Sequence, residues 1–327
     1  MSNILITGAT GFIGRNLVQR LITEGHYCRC LVRKNSRIDF LADCSDVELF
    51  YGDITQKDSL TGICKSIDIV INSAGVLAKW DSSIEDLKSV NTDGIINLTD
   101  ELIKNSVEYV IHLSAGGVTG PVKGPPADET YECRPQTAYE KTKLEGEEKA
   151  LKLFRQHNLP IVVVRPTFTY GPGDPHKLPL FCSVKKGSFV FVGSGESTNH
   201  PVYIDDLVEG ILLLLEKRVK GEIFIIGGPH PVTKKDLIYT IAEELGVKKN
   251  FLHLPRWLAL SGAFGLVFLA RLLKFEPILT PSRVSMMADN WGYSVKKAKE
   301  RLGYQPKFNL RPGIKKTVQS YIELQWL

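Results

Sequence analysis

The chain has little of what would classify it at a glance. Its 327 residues include 6 cysteines, and Cys28, Cys30, Cys44, Cys64, Cys133 and Cys182 form no C-x-x-C pair. That spacing excludes the common thiolate zinc modules and a dense disulfide framework. Cys28 and Cys30 alternate along an apolar run, so both are expected to pack as small, reduced hydrophobes inside a cell. Charge is thin as well: 41 basic against 36 acidic residues leave a net +5, with no dense Lys/Arg block suited to nucleic acid. His112, His176, His200, His230 and His253 lack metal-ligand spacing with carboxylates or thiols, so no metal is expected. Of these, only His176 borders the loop expected to flank a pocket. No repeat or low-complexity tract is present. The first residues enter an apolar strand with no basic segment before it, so a secretory leader is not expected and a cytoplasmic protein is. One long apolar stretch exists, Trp257 to Phe275, but Arg271 and Lys274 interrupt it short of a membrane span. Two readings of it stay open: a buried or pocket-lining helix, and an interfacial helix touching a membrane surface.

What the chain does have is rhythm. Asn3–Thr7, His26–Val32, Val47–Tyr51, Ile67–Asn72, Tyr109–Leu113 and Ile161–Arg165 are apolar runs of the kind found in strands buried on both faces. Helical patterns separate them at Ile13–Glu24, Thr55–Lys65, Ile84–Asn105 and Tyr139–His157. This alternation predicts an α/β fold, a Rossmann-type doubly wound parallel sheet covered by helices on both faces. Past Pro166 proline and glycine become frequent, a further strand is expected at Glu222–Ile226, and helices follow at Thr233–Leu245, Trp257–Leu273, Pro281–Ala288, Val295–Leu302 and Leu310–Leu324. The expected organisation is a dinucleotide-binding domain over 1–165 and a smaller, mostly helical substrate lobe over 166–327, with segments near 202–226 returning to the first domain.

The segment Thr7-Gly8-Ala9-Thr10-Gly11-Phe12-Ile13-Gly14 follows a strand and opens a helix. Gly8 permits the tight turn, Gly11 lets the backbone approach a pyrophosphate, and Gly14 lets helix and strand pack closely. Residues Gly8, Thr10, Gly11, Phe12, Ile13 and Gly14 are thus expected around the phosphates, which the helix N-terminus would hold through its free N–H groups and its dipole. At the end of the second strand, where NAD sites usually place an acid for the ribose hydroxyls, Arg33 and Lys34 stand instead and suit a 2′-phosphate. NADP is therefore preferred to NAD. Asp53, followed by Ile54, ends the third strand, where its carboxylate could accept from the adenine amino group.

Tyr139 and Lys143 lie one helical turn apart on one face. A phenol titrates near pH 10, so it exchanges protons at neutral pH only where cations favour the phenolate. A lysine ammonium and an oxidised nicotinamide would do so. Ser114, ending the strand Tyr109–Leu113, is the candidate hydroxyl for a substrate oxygen.

With these residues in place the chain resembles the extended branch of the short-chain dehydrogenase/reductase superfamily, the NAD-dependent epimerase/dehydratase family. Besides the glycine turn and the Tyr139/Lys143 pair, the resemblance rests on Asn72-Ser73-Ala74-Gly75, Val90-Asn91-Thr92, Arg165-Pro166-Thr167-Phe168-Thr169-Tyr170-Gly171-Pro172 and Val202-Tyr203-Ile204-Asp205-Asp206-Leu207. It implies a Ser114–Tyr139–Lys143 catalytic set. It also implies cofactor contacts at Ser73, Ala74, Gly75, Tyr139, Lys143, Pro166, Thr167 and Thr169, with Pro166 and Thr167 beside the nicotinamide. Members often pair through two helices each, which here implies a homodimer through Ile84–Asn105 and Tyr139–His157.

Within that branch, sugar dehydratases carry an Asp-Glu pair after the catalytic hydroxyl, where this chain has Ala115, Gly116 and Gly117. Nucleotide-sugar enzymes often have Asn at the place of Thr167 and Arg where Ser197-Thr198-Asn199-His200-Pro201 stands. The apolar stretch at Trp257–Phe275 is similar to that of 3β-hydroxysteroid dehydrogenase-like and dihydroflavonol reductase-like members, and would line a greasy cavity if one face pointed inward. The expectation is an NADP(H)-dependent alcohol/ketone oxidoreductase on an apolar, cyclic small molecule. A nucleotide-sugar 4-epimerase with tightly held NAD is the alternative, and a non-catalytic cofactor sensor the third reading.

Overall fold

Alternation of β-branched runs with amphipathic helices builds a three-layer sandwich. The computed structural model describes residues 1–41, 44–80 and 82–327. Strands β1 (Asn3–Thr7), β2 (Tyr27–Val32), β3 (Val47–Tyr51), β4 (Ile69–Asn72), β5 (Tyr109–Leu113) and β6 (Ile161–Pro166) are interleaved with helices α1 (Phe12–Thr23), α2 (Ile84–Asn91), α3 (Asp93–Lys104) and α4 (Ala138–His157). Beyond them come β7 (Phe168–Tyr170), α5 (Leu178–Lys185), β8 (Val190–Val192), β9 (Thr198–Asn199), β10 (Pro201–Tyr203), α6 (Ile204–Lys217) and β11 (Ile223–Ile226). The chain ends with β12 (Val232–Thr233), α7 (Lys234–Glu244), β13 (Leu252–Leu254), α8 (Arg256–Leu273), α9 (Pro281–Ala288), α10 (Lys296–Leu302) and α11 (Leu310–Glu323).

Seven parallel strands lie in the order β11-β6-β5-β4-β1-β2-β3. The chain winds outward from β1 in one direction, then returns to β4 on its other side. Between β1 and β4 the crossovers leave to opposite faces, and a crevice opens at the strands' carboxyl ends. Side chains alternate across the sheet. Ile4, Ile6, Ile69, Ile71 and Ile111 face one layer with Leu17, Leu21, Leu207 and Ile211. Leu5, Val70, Val110 and Val163 face the other, with Ile95, Leu98, Leu102 and Ala150. Both layers exclude water, which is why the strands read as continuous apolar runs.

Three expectations change. The helix anticipated over Thr55–Lys65 is only a short 3-10 turn at Lys57–Leu60. There the Asp53 carboxylate accepts from the Thr55 amide and hydroxyl, the Ser59 hydroxyl donates to Gln56 O, and Gly62 turns left-handed at φ +80°. Side chains that bond their own backbone compete with helix propagation. The single helix expected over Ile84–Asn105 is two, joined at Thr92, whose hydroxyl donates to the Thr142 carbonyl of α4 at 2.8 Å. The third change is α8. Its Ala259, Ala263 and Ala270 are buried, but Trp257, Phe264, Phe268, Leu269 and Leu272 are exposed. It is not a core helix. A stripe of small residues lets the backbone sit against the lobe, and among the described residues nothing covers the other side.

Candidate active site

The crevice is shaped first by the turn after β1. Gly8 is left-handed at φ +67°, and a Cβ there would stand 2.8 Å from the Ala74 amide nitrogen and the Ser73 carbonyl. A Cβ on Gly14 would run into the Gly8 carbonyl, so α1 can approach β1 only through glycine. Gly11 is the N-cap of α1, its amide bonded to Gly8 O at 2.9 Å, with no capping side chain and no acid in the first turn. The helix therefore presents uncapped N–H groups and its positive end to the crevice, a cradle fitted to a pyrophosphate. Thr10 is exposed, Phe12 buried and Ile13 half-buried around this turn.

A polar chain ties the strand ends beneath it. The Ala74 amide donates to Thr7 Oγ1 (3.2 Å), the Thr7 hydroxyl donates to Asn72 Oδ1 (2.6 Å), and Asn72 Nδ2 lies 3.0 Å from His112 Nδ1. Burial and the nearby Lys143 pull the His112 imidazole down to about 3, so it stays neutral and accepts from Asn72. The Ser73 hydroxyl donates to Thr7 O at 2.6 Å. These bonds lock β1, β4 and β5 in register under Ser73-Ala74-Gly75.

At the outer end of the crevice Arg33 and Lys34 follow β2 exposed, and Arg33 anchors the turn through its backbone, its amide donating to Ser36 Oγ and its carbonyl accepting from the Ser36 amide. Asp53 spends one carboxylate oxygen on Thr55. Ile54 is buried under Gly94 and its carbonyl accepts from Asn97 Nδ2 at 2.8 Å, so its side chain packs in the wall rather than toward the crevice.

The inner end is built by α4. Thr137 and Glu140 form a reciprocal capping box, with Thr137 Oγ1 accepting from the Glu140 amide and Glu140 Oε2 from the Thr137 and Gln136 amides. The box fixes where the helix starts, and Tyr139 is its second residue. Tyr139 is half-buried. Burial, with Glu140 adding to it, pushes its phenol up to about 12. Lys143 is buried at 4% exposure and its ammonium donates to the Leu113 carbonyl at 2.5 Å, beside Ser114. The same ammonium lies 3.7 Å from where a Cβ on Gly75 would stand. Desolvation pulls Lys143 down to about 8, and Glu147 opposes that shift. Ser114 is buried, and its hydroxyl has no partner among the described residues. The Thr167 hydroxyl, at the end of β6, is also buried and unpartnered. An unsatisfied buried hydroxyl is costly, and two of them at adjacent strand ends mark where a ligand's polar atoms fit. Pro166 is buried at the end of β6, while Thr169 donates back to Thr167 O at 3.2 Å.

Two supports stand outside the sequence-derived set. Asn91 holds the loop after β4 against α4: its Oδ1 accepts from the Val76 amide (2.9 Å) and its Nδ2 donates to Val76 O (3.1 Å) and Thr142 Oγ1 (3.2 Å). Behind Lys143, Glu147 and Arg165 form a bidentate pair at 2.9 and 2.5 Å, each side chain 3% exposed. A lone arginine in an otherwise apolar strand was the available signal for the pair. His176 is exposed on its loop, and its amide donates to Asp174 Oδ1 at 2.8 Å within that loop. A separate open cavity of about 520 Å³, lined by His200, His230, Tyr293 and Lys299 among others, contains none of Ser114, Tyr139 and Lys143.

The chain is similar to known proteins over most of its length. Residues 4–227 match the NAD dependent epimerase/dehydratase family. The chain is 28% identical to a decarboxylating sterol-4-alpha-carboxylate 3-dehydrogenase of Candida albicans, covering 97% of each protein. It is 27% identical to a UDP-glucose 4-epimerase of Vibrio cholerae, over 98% of this chain and 96% of that one. Among solved structures, that of gox2253 superposes with a TM-score of 0.86 at 29% identity over the full length of both chains. With the glycine cradle, the sheet order and the match over most of its length, the chain belongs to the NAD-dependent epimerase/dehydratase family and is an NAD(P)-dependent oxidoreductase or epimerase of the extended short-chain dehydrogenase/reductase superfamily.

Proposed function

We propose that the protein interconverts an alcohol and a ketone on an apolar, cyclic small molecule, with NADP(H) preferred over NAD(H). The observation that carries this reading is the convergence of the unpartnered Ser114 hydroxyl with Lys143 at the carboxyl end of β5, next to the capped start of α4 that bears Tyr139. Ser114 would hold the substrate oxygen. Tyr139, protonated in this state, is suited to deliver a proton to a carbonyl as it becomes an alcohol. In the opposite direction the phenolate must form, and the Lys143 cation and the N-terminal end of α4 favour it. Lys143 would also hold the ribose. No side chain can carry hydride, so the nicotinamide supplies that chemistry when bound. Residues 1–165 would bind the cofactor and 166–327 the substrate, with 202–226 returning to the sheet.

Support for an apolar substrate comes from the relatives named as sterol dehydrogenases, not from α8. The Vibrio cholerae relative supports nucleotide-sugar 4-epimerisation as the second reading. Against it stands Ser197-Thr198-Asn199-His200 where such enzymes hold phosphates with arginine. Exposed Ile84, Ile96 and Ile103 on α2 and α3 suit a homodimer through those helices and α4.

The test is to purify the protein, release and identify any bound nucleotide, and titrate NAD and NADP. Tighter binding and free exchange of NADP are expected. Retained NAD would favour the epimerase, and NAD binding as tightly as NADP would remove the role given to Arg33 and Lys34. Cofactor binding with no turnover over a broad panel of ketones and alcohols would leave only a sensor.

A further inference from the structure

Helix α8 is apolar and long enough to cross a membrane, yet little of it is buried. At about 100° per residue, Phe264, Trp257, Phe268, Leu272, Leu269 and Leu273 sweep an outward arc of about 180°. Trp257, Phe268 and Leu272 are each 69% exposed and Phe264 63%. Large aromatic and aliphatic side chains gathered on one water-facing surface are costly unless something covers them. The opposite stripe, Ala259 and Ala263, packs with Val192, Leu254 and Val284. Crossing a bilayer would tear that stripe from the lobe, so the helix can only lie flat.

Charge selects the occupant. From Arg256 to Lys274 the segment contains no acidic residue. Arg256 is neutralised by Asp289, and Glu276, just past the helix, is paired with Arg283. Arg271 and Lys274 make no ion pair among the described residues. A second copy of the same face would bring more cations and no anion to meet them. Anionic headgroups would supply the missing charge while acyl chains took the arc, with Trp257 at the boundary between them.

We infer that α8 docks the protein on an anionic phospholipid bilayer, lying in the membrane plane on its alanine-backed side. This contact stands whether the chemistry is reduction or epimerisation. The docked unit reaches the catalytic helix: Asp289 joins α8 to the end of α9, and Ser285 of α9 donates to Gln136 Oε1 at 3.2 Å, beside the Thr137 cap of α4.

Flotation of the full chain with vesicles tests it. The protein is expected to float with equimolar phosphatidylcholine and phosphatidylserine, and less with phosphatidylcholine alone. Phe264→Glu with Phe268→Glu should stay in the soluble fraction while binding cofactor as the parent does. Arg271→Gln with Lys274→Gln should weaken partition to the mixed vesicles by roughly 30-fold, about fivefold per cation, and leave the neutral vesicles little affected. A parent that does not float, or a Phe264/Phe268 variant that floats equally well, overturns the inference. So does sedimentation showing a lipid-indifferent dimer that the same variant converts to monomer, because the face would then belong to a second copy.

Discussion

The carboxyl edge of the sheet and the outer face of α8 break opposite folding rules. At the edge, polar and charged groups are buried: Lys143, Glu147, Arg165, His112 and the free hydroxyls of Ser114 and Thr167. On α8 the reverse holds, and aromatic side chains face water. Departures of either kind cost stability and persist where function uses them. The edge tolerates its buried charges because a capping box, the Asn91 amide and the Glu147–Arg165 fork fix their geometry. The α8 face has no such lattice, only a flat stripe of alanine beneath it. One region is organised to hold a small ligand rigidly, the other to meet a broad surface.

The comparison can be broken at the edge first. Tyr139→Phe is expected to lower kcat by about 10²–10⁴-fold with cofactor affinity nearly unchanged, as steady-state kinetics and a nucleotide titration would show. Near-normal turnover would remove Tyr139 as the acid–base group. Glu147→Ala strands the Arg165 guanidinium in the interior and should cost about 3–5 kcal/mol in denaturant unfolding. Arg33→Ala with Lys34→Ala should raise the NADP Kd roughly 10- to 100-fold and leave NAD binding little changed.

A smaller effect has a definite sign with pH. Lys143 is held at about 8 against its ordinary 10.5, so between those values the unfolded chain binds more protons than the folded one. Stability contributed at this site therefore rises with pH across that window, and the buried ammonium is a cost below it. Lys143→Met should raise unfolding free energy at pH 7 by about 1–3 kcal/mol, after loss of the Leu113 bond, and the gain should vanish by pH 10.5. A gain that grows with pH would contradict the assignment. Smallest of all, Phe268→Ser on the exposed face should stay within about 0.5 kcal/mol of the parent, whereas Leu17→Ala in the core should cost about 2–5. Equal losses would mean that α8 is packed after all.

Much of the first half of the chain was legible because its signals are local. The turn from Thr7 to Gly14 needs glycine for reasons contained within a few residues, and the Tyr139–Lys143 spacing places both on one helical face. The parallel sheet followed from apolar runs alternating with helices. The Thr55–Lys65 segment misled because its apolar spacing is helical, while Asp53, Ser59 and Gly62 bond and bend it otherwise. Ile84–Asn105 split at Thr92 for a bond to α4, which lies far along the chain.

By itself the sequence determined the fold, the dinucleotide cradle and the pair of residues on α4, since these depend on spacing and on the backbone freedom of particular glycines. Only the tertiary structure decided which buried hydroxyls lack partners, that Glu147 reaches Arg165 behind Lys143, and which way α8 turns its apolar arc. Those are questions of what lies opposite a side chain. An apolar helix has the same composition whether it packs inward or outward, and the choice is made by segments distant in sequence.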